Sequence, residues 1–136
     1  MGYCVHLSEH LFRIPANQIE PCLNGILDNK YLKDEVLSAQ KHVKYFGHLP
    51  SLLKLTELVN SIWGFKFTPN ETGDIFKVEY ELEKTHDFDG FCNAIALSVE
   101  SGSYLEFRGE DGAKWRYVFR DGNWKEIRPK VVWPED

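Results

Sequence analysis

The chain has 136 residues and carries 16 Lys and Arg against 21 Asp and Glu, a formal net charge of -5. Its hydrophobic share of 43% and aromatic share of 14% supply enough material for a packed core, which excludes intrinsic disorder. The length suits one domain over 1–136, and no apolar run approaches the roughly 20 residues of a membrane span.

Tyr3-Cys4-Val5-His6-Leu7 alternates, and Leu11-Phe12-Arg13-Ile14 is a second apolar piece of opposite parity. One strand through both requires a bulge near Ser8-Glu9; otherwise they are two pieces. Asn17 and Glu20 have capping-box spacing for a helix to Leu27, with Ile19, Cys22, Leu23, Ile26 and Leu27 on its apolar stripe. Leu32, Val36, Ala39, Val43 and Phe46 predict a second helix over about 31–45, stopped by Gly47. Pro50-Ser51 opens a third, which closes at Trp63-Gly64.

Beyond Gly64 the hydrophobic period changes from helical to two. Phe65 and Phe67 alternate, and residues 75–83 read as a half-buried strand. Phe76, Val78, Tyr80 and Leu82 point inward there, with Lys77, Glu79, Glu81 and Glu83 outward. Asp87 caps a fourth helix that carries Phe88, Phe91, Cys92, Ile95 and Val99. Three strands follow, about 103–109, 114–120 and 123–128, joined through Asp-Gly turns, and Val131-Val132-Trp133 adds a short edge. The predicted class is α+β, with helices packed on one face of a mostly antiparallel five- to six-stranded sheet.

The charge is uneven. Residues 1–68 hold seven basic and six acidic side chains, whereas residues 69–136 hold nine and fifteen. An acidic field disfavours nucleic acid and attracts basic proteins. Lys114-Trp115-Arg116-Tyr117-Val118-Phe119-Arg120 interleaves rings and cations, but strand alternation separates them onto opposite faces. A base-stacking platform needs both on one face. Glu79, Glu81, Glu83, Glu106, Glu110 and Asp111 are the candidate contacts for a basic partner, the last two on a hairpin tip. Residues 31–48, with Lys33, Lys41, His42 and Lys44, are the least acidic exposed stretch and a second candidate surface.

Cys4, His6 and His10 offer sulfur and imidazole donors, with Cys22 or His42 as a recruitable fourth ligand, although nothing has the paired spacing of a zinc motif. They define the alternative, a small metal-dependent enzyme or hydrolase. His86-Asp87 suggests a base and its orienting carboxylate, but Asp87 is explained as a cap. No nucleophile elbow and no Gly-rich phosphate loop occurs, and no cofactor is expected. Three cysteines without close pairing suit a reducing compartment. The first residues have neither the basic region nor the apolar stretch of a signal peptide, so a cytoplasmic location is expected.

The segment from Ser101 to Gly112, SGSYLEFRGEDG, followed by Trp115-Arg116-Tyr117-Val118-Phe119, resembles a C-terminal pattern in small, mostly uncharacterised bacterial cytosolic proteins. The resemblance covers at most Ser51 to Asp136. Proteins of this kind often look like immunity partners of bacterial toxins. The resemblance therefore implies binding rather than catalysis, and it brings no catalytic residues with it. The expectation is a non-catalytic protein that occludes a basic, nuclease-like toxin domain.

Overall fold

The computed structural model describes residues 3–130 and 132–134. Six strands and four helices follow one another in an α+β arrangement. Strand β1 (Val5–Leu11) precedes α1 (Ile19–Leu27), α2 (Lys33–His42) and α3 (Ser51–Trp63). Strands β2 (Phe65–Pro69) and β3 (Ile75–Tyr80) lead to α4 (Phe88–Ile95), and β4 (Tyr104–Gly109), β5 (Lys114–Arg120) and β6 (Asn123–Ile127) complete the chain. All strand pairs are antiparallel, but they form two sheets, β1-β4-β5-β6 and β2-β3.

The two sheets nearly join. Ile14 exchanges backbone hydrogen bonds of 2.9 Å with Ile75, and Val5 N–H donates to the Glu83 carbonyl at 2.8 Å. Between these ends the β1–β3 seam is open, and the His10 ring enters it, Nε2 accepting from Val78 N–H at 3.4 Å. Both readings of the change of parity are realised in part: β1 ends at Leu11, with Ile14 in a separate bridge to Ile75, and a register shift between Leu7 and Glu9 forms a bulge. It puts Val5 inward before the shift and Phe12 and Ile14 inward after it.

Helix α3 spans the predicted residues, and its buried stripe is Leu55, Leu58, Val59 and Trp63. Gly64 follows at φ 82°, a left-handed stop in which glycine avoids a Cβ penalty. Asp87 caps α4 by accepting from Gly90 N–H at 2.9 Å. Asn17, expected to cap the first helix, instead lies inside a short 3-10 turn over Ala16–Gln18. Helix α2 ends at His42, ahead of Gly47, and the left-handed residue beyond it is Tyr45. Of the edge predicted at 131–133, Val131 lies outside the described residues, and Val132 and Trp133 carry no strand.

The strand expected over 75–83 ends at Tyr80. Its register also shifts: Thr68 faces Lys77, whereas Pro69 faces Ile75. Phe76 is the extra residue in that bulge and is 48% exposed, while Ile75 takes the inward position. Leu82, also assigned to the core from its parity, lies beyond the strand and is 47% exposed. The rings that do enter the core lock the layers together. Phe65 stacks on Phe91 at 4.0 Å, and Phe88 on Phe107 at 4.5 Å. Trp115, Tyr117 and Phe119 are buried on the helix side of β5, as alternation requires.

Candidate functional site

The six predicted acidic contacts do not form one surface. Glu79 is exposed on β3 and lies 3.5 Å from Lys77 Nζ. Glu81 follows the strand and accepts from Asn60 Nδ2 at 2.6 Å. Glu83 is exposed beyond it, its carbonyl engaged by Val5. Glu106 does point away from the helices, but it is only 6% exposed. Its carboxylate accepts from Arg116 Nε at 2.9 Å and Ser8 Oγ at 3.2 Å. Those hydrogen bonds, the Arg116 contact foremost, hold its pKa below the ordinary value. Covered in this way, Glu106 is a structural anion rather than an exposed contact.

The hairpin tip is restrained. Glu110 N–H donates to the Cys4 carbonyl at 2.9 Å, and Cys4 N–H donates to Glu110 Oε1 at 3.1 Å. Asp111 accepts from the Tyr3 hydroxyl and from Ala113 N–H. The Tyr3 contact is the first cause of its lowered pKa. The tip is thus clasped by the residues preceding β1, and Asp111 is held as an anion.

Asp111 is also one wall of a cleft the sequence did not disclose. The cleft, of about 500 Å³, lies between the N-terminus of α4, the β4–β5 tip and the helix-side face of β5–β6. Trp115 and Tyr117 form its floor, with Trp115 Nε1–H donating to the Tyr117 oxygen at 3.1 Å. Burial pushes the Tyr117 hydroxyl up to about 12, so it stays protonated. Asp87, Asp89, Asp111 and Glu126 line the sides. A second hollow of about 440 Å³ adjoins it at His86 and Asp87 and adds Asp34 and Glu35. Together they form an acidic furrow lined by six carboxylates.

One cation already sits in the furrow. The Arg128 guanidinium lies 5.1 Å over the Trp115 ring, and its Nε–H donates to Glu126 Oε2 at 2.9 Å. An aromatic face with a carboxylate beside it is the environment an arginine side chain prefers.

The alternative ligand set is not assembled. His6 is exposed opposite Arg108, whereas His10 is half-buried in the seam. Cys22 is 2% exposed, with its thiol pushed up to about 11 by burial, and His42 Nδ1 lies 2.7 Å from the Ser38 carbonyl. Among the described residues no three His, Cys, Asp or Glu side chains converge as a ligand set. His86 does not pair with Asp87; its Nε2–H donates to the Ile62 carbonyl at 3.0 Å.

No family model matches the chain, and no curated protein or solved structure matches it. No helix among the described residues is long and apolar enough to cross a membrane.

Proposed function

We propose that the protein is a non-catalytic binding protein that captures a basic protein partner in the acidic furrow. The supporting observation is Arg128, which occupies the position a partner's arginine would take, over Trp115 and against Glu126. The surrounding carboxylates raise the capture rate of a basic surface by steering and orient its side chains on arrival. This reading moves the acidic complementarity from the outer face of β3 to the furrow, and of the six expected contacts it retains Asp111. The finer reading is that the partner is a toxin domain, nuclease-like and basic, whose working surface is occluded in the complex. The resemblance of residues 101–119 to immunity-type proteins supports that version.

The test is fluorescence anisotropy with a labelled peptide of alternating glycine and arginine. Asp89 and Glu126 are the residues to change, because Asp111 and Glu110 also hold the N-terminal strand. Asp89→Asn with Glu126→Gln is expected to weaken binding about tenfold at low salt, with less effect at high salt. Arg128→Ala is expected to strengthen it severalfold by removing the internal competitor. An isotherm that does not saturate, or one that neither change moves, defeats the proposal.

A further inference from the structure

The face of the four-stranded sheet turned away from the helices has the opposite charge. Its cross-strand rows place Arg108 beside Lys114, Glu106 beside Arg116, and Val118 between Tyr104 and Lys125, with Arg120 beside Asn123. The two strand carboxylates on this face are occupied, and Asp121, in the β5–β6 turn, lines its edge beside Arg120. Glu106 is bound by Arg116, and Glu9 accepts from the Tyr104 hydroxyl at 2.8 Å. Among the described residues Arg108, Lys114, Arg120 and Lys125 form no ion pair. Four uncompensated cations on one pleated surface are a marked asymmetry in a chain of net charge -5.

The surface is hollowed rather than flat. A depression of about 300 Å³ includes Lys114, Arg116 and Ile127. A second, of about 470 Å³, includes Tyr104, Val118, Arg120, Lys125 and Ile127. They adjoin at Ile127, which is 41% exposed. The result is an aliphatic strip on β5 and β6 with cations at each end. Lys114 and Arg120 are six positions apart on one strand, which corresponds to roughly 20 Å, or about seven residues of an extended peptide.

We infer that this face docks a second partner, an extended acidic protein segment whose sheet-facing side chains, at every second position, are acidic at the ends and aliphatic in the middle. Alternation turns every second side chain of such a segment onto the sheet, so the end carboxylates of that set meet Lys114 at one end and Arg120 and Lys125 at the other, and the aliphatic groups between them meet Val118 and Ile127. The chemistry favours a peptide over single-stranded nucleic acid. Among the outward-facing strand positions Tyr104 is the aromatic residue, and the Arg116 guanidinium already covers its ring at 4.2 Å. A phosphate backbone would also leave Val118 and Ile127 without apolar contact. Its cations lie on the side of the sheet opposite Trp115 and Tyr117, and the Lys114 end meets the rim of the acidic furrow at Trp115 and Arg128.

The test is anisotropy with a labelled heptapeptide of sequence Glu-Glu-Val-Glu-Leu-Glu-Glu, whose first, third, fifth and seventh side chains share one face, compared with heptaglutamate and with a ten-nucleotide oligothymidylate. The heptapeptide is expected to bind saturably and more tightly than either control. Arg120→Glu with Lys125→Glu is expected to weaken it at least about tenfold. Arg108→Glu with Lys114→Glu is an independent pair at the other end and should also weaken it. Asp89→Asn with Glu126→Gln should leave it unchanged, which separates this face from the furrow. Circular dichroism establishes that each variant is folded. Failure to saturate, indifference to both charge reversals in folded protein, or equal or tighter binding of heptaglutamate or oligothymidylate would each overturn the inference.

Discussion

His10 is the clearest case of a side chain doing backbone work. It fills a gap in a hydrogen-bond ladder, and it can accept from Val78 N–H only while Nε2 is unprotonated. Burial, and then the nearby Lys77, lowers its pKa from the ordinary value; Glu79 opposes them weakly. The unfolded chain therefore takes up a proton first, near pH 6.5. The stabilisation is fully present above that pH and is lost as pH falls through the lower folded value. Urea unfolding at pH 7 and pH 5 should show this loss, and His10→Gln should remove part of it. Identical pH dependence in the two proteins would refute the assignment. Glu106 shows the limit of reading single residues. Alternation gave its direction correctly, yet nothing in a linear sequence shows that Arg116 and Ser8 close over it.

Helices with an uninterrupted apolar stripe and a firm stop were legible, and α3 is the best example. Gly64 ends it, donating N–H to the Asn60 carbonyl and accepting from Glu81 N–H, each at 2.9 Å. An added Cβ would meet Leu82 Cδ1 at 2.5 Å in a backbone conformation that disfavours L side chains. Gly64→Ala is expected to cost about 1–2 kcal/mol, mostly conformational because exposed Leu82 can move aside. Chemical denaturation measures it; an unchanged midpoint would mean the turn relaxes without cost. Strand faces were harder to read wherever a bulge shifted the parity. Around Ser8 the clash between two apolar series pointed to a bulge or to two separate pieces, and the structure has a bulge within β1 and a separate bridge at Ile14. Around Ile75-Phe76 two adjacent apolar residues fitted either parity, and only pairing with β2 decides between them. The acidic furrow was illegible for another reason. Its carboxylates come from α2, α4 and its cap, the β4–β5 tip and β6, so no local pattern contains it.

The molecule is polarised between faces rather than between halves of the sequence. The C-terminal half carries the acidic excess, yet it also supplies Arg108, Lys114, Arg120 and Lys125. Alternation on β4, β5 and β6 sends these cations to one side, while turns and helix ends carry Asp87, Asp89 and Asp111 to the other. The pairing of the strands is equally non-local. β5 lies between β4 and β6 in a simple meander, but β1 finds its partner only in β4, Val5 opposite Gly109. A chain ending at Ser103 is therefore expected to leave Val5–Leu11 unprotected in amide exchange, whereas the full chain protects it. Protection in the truncated chain would mean that contact with β3 suffices to order the first strand.

That long-range pairing has a temporal consequence during biosynthesis. At roughly 5–20 residues per second, the interval between emergence of Val5 and of Gly109 is on the order of 5–20 s. For that period the edge of β1 that pairs with β4 is bare, and the Ile14–Ile75 and Val5–Glu83 contacts are the ones that can form first. Helix formation is far faster than translation, so the slow step in securing β1 is the synthesis of β4, about a hundred residues later.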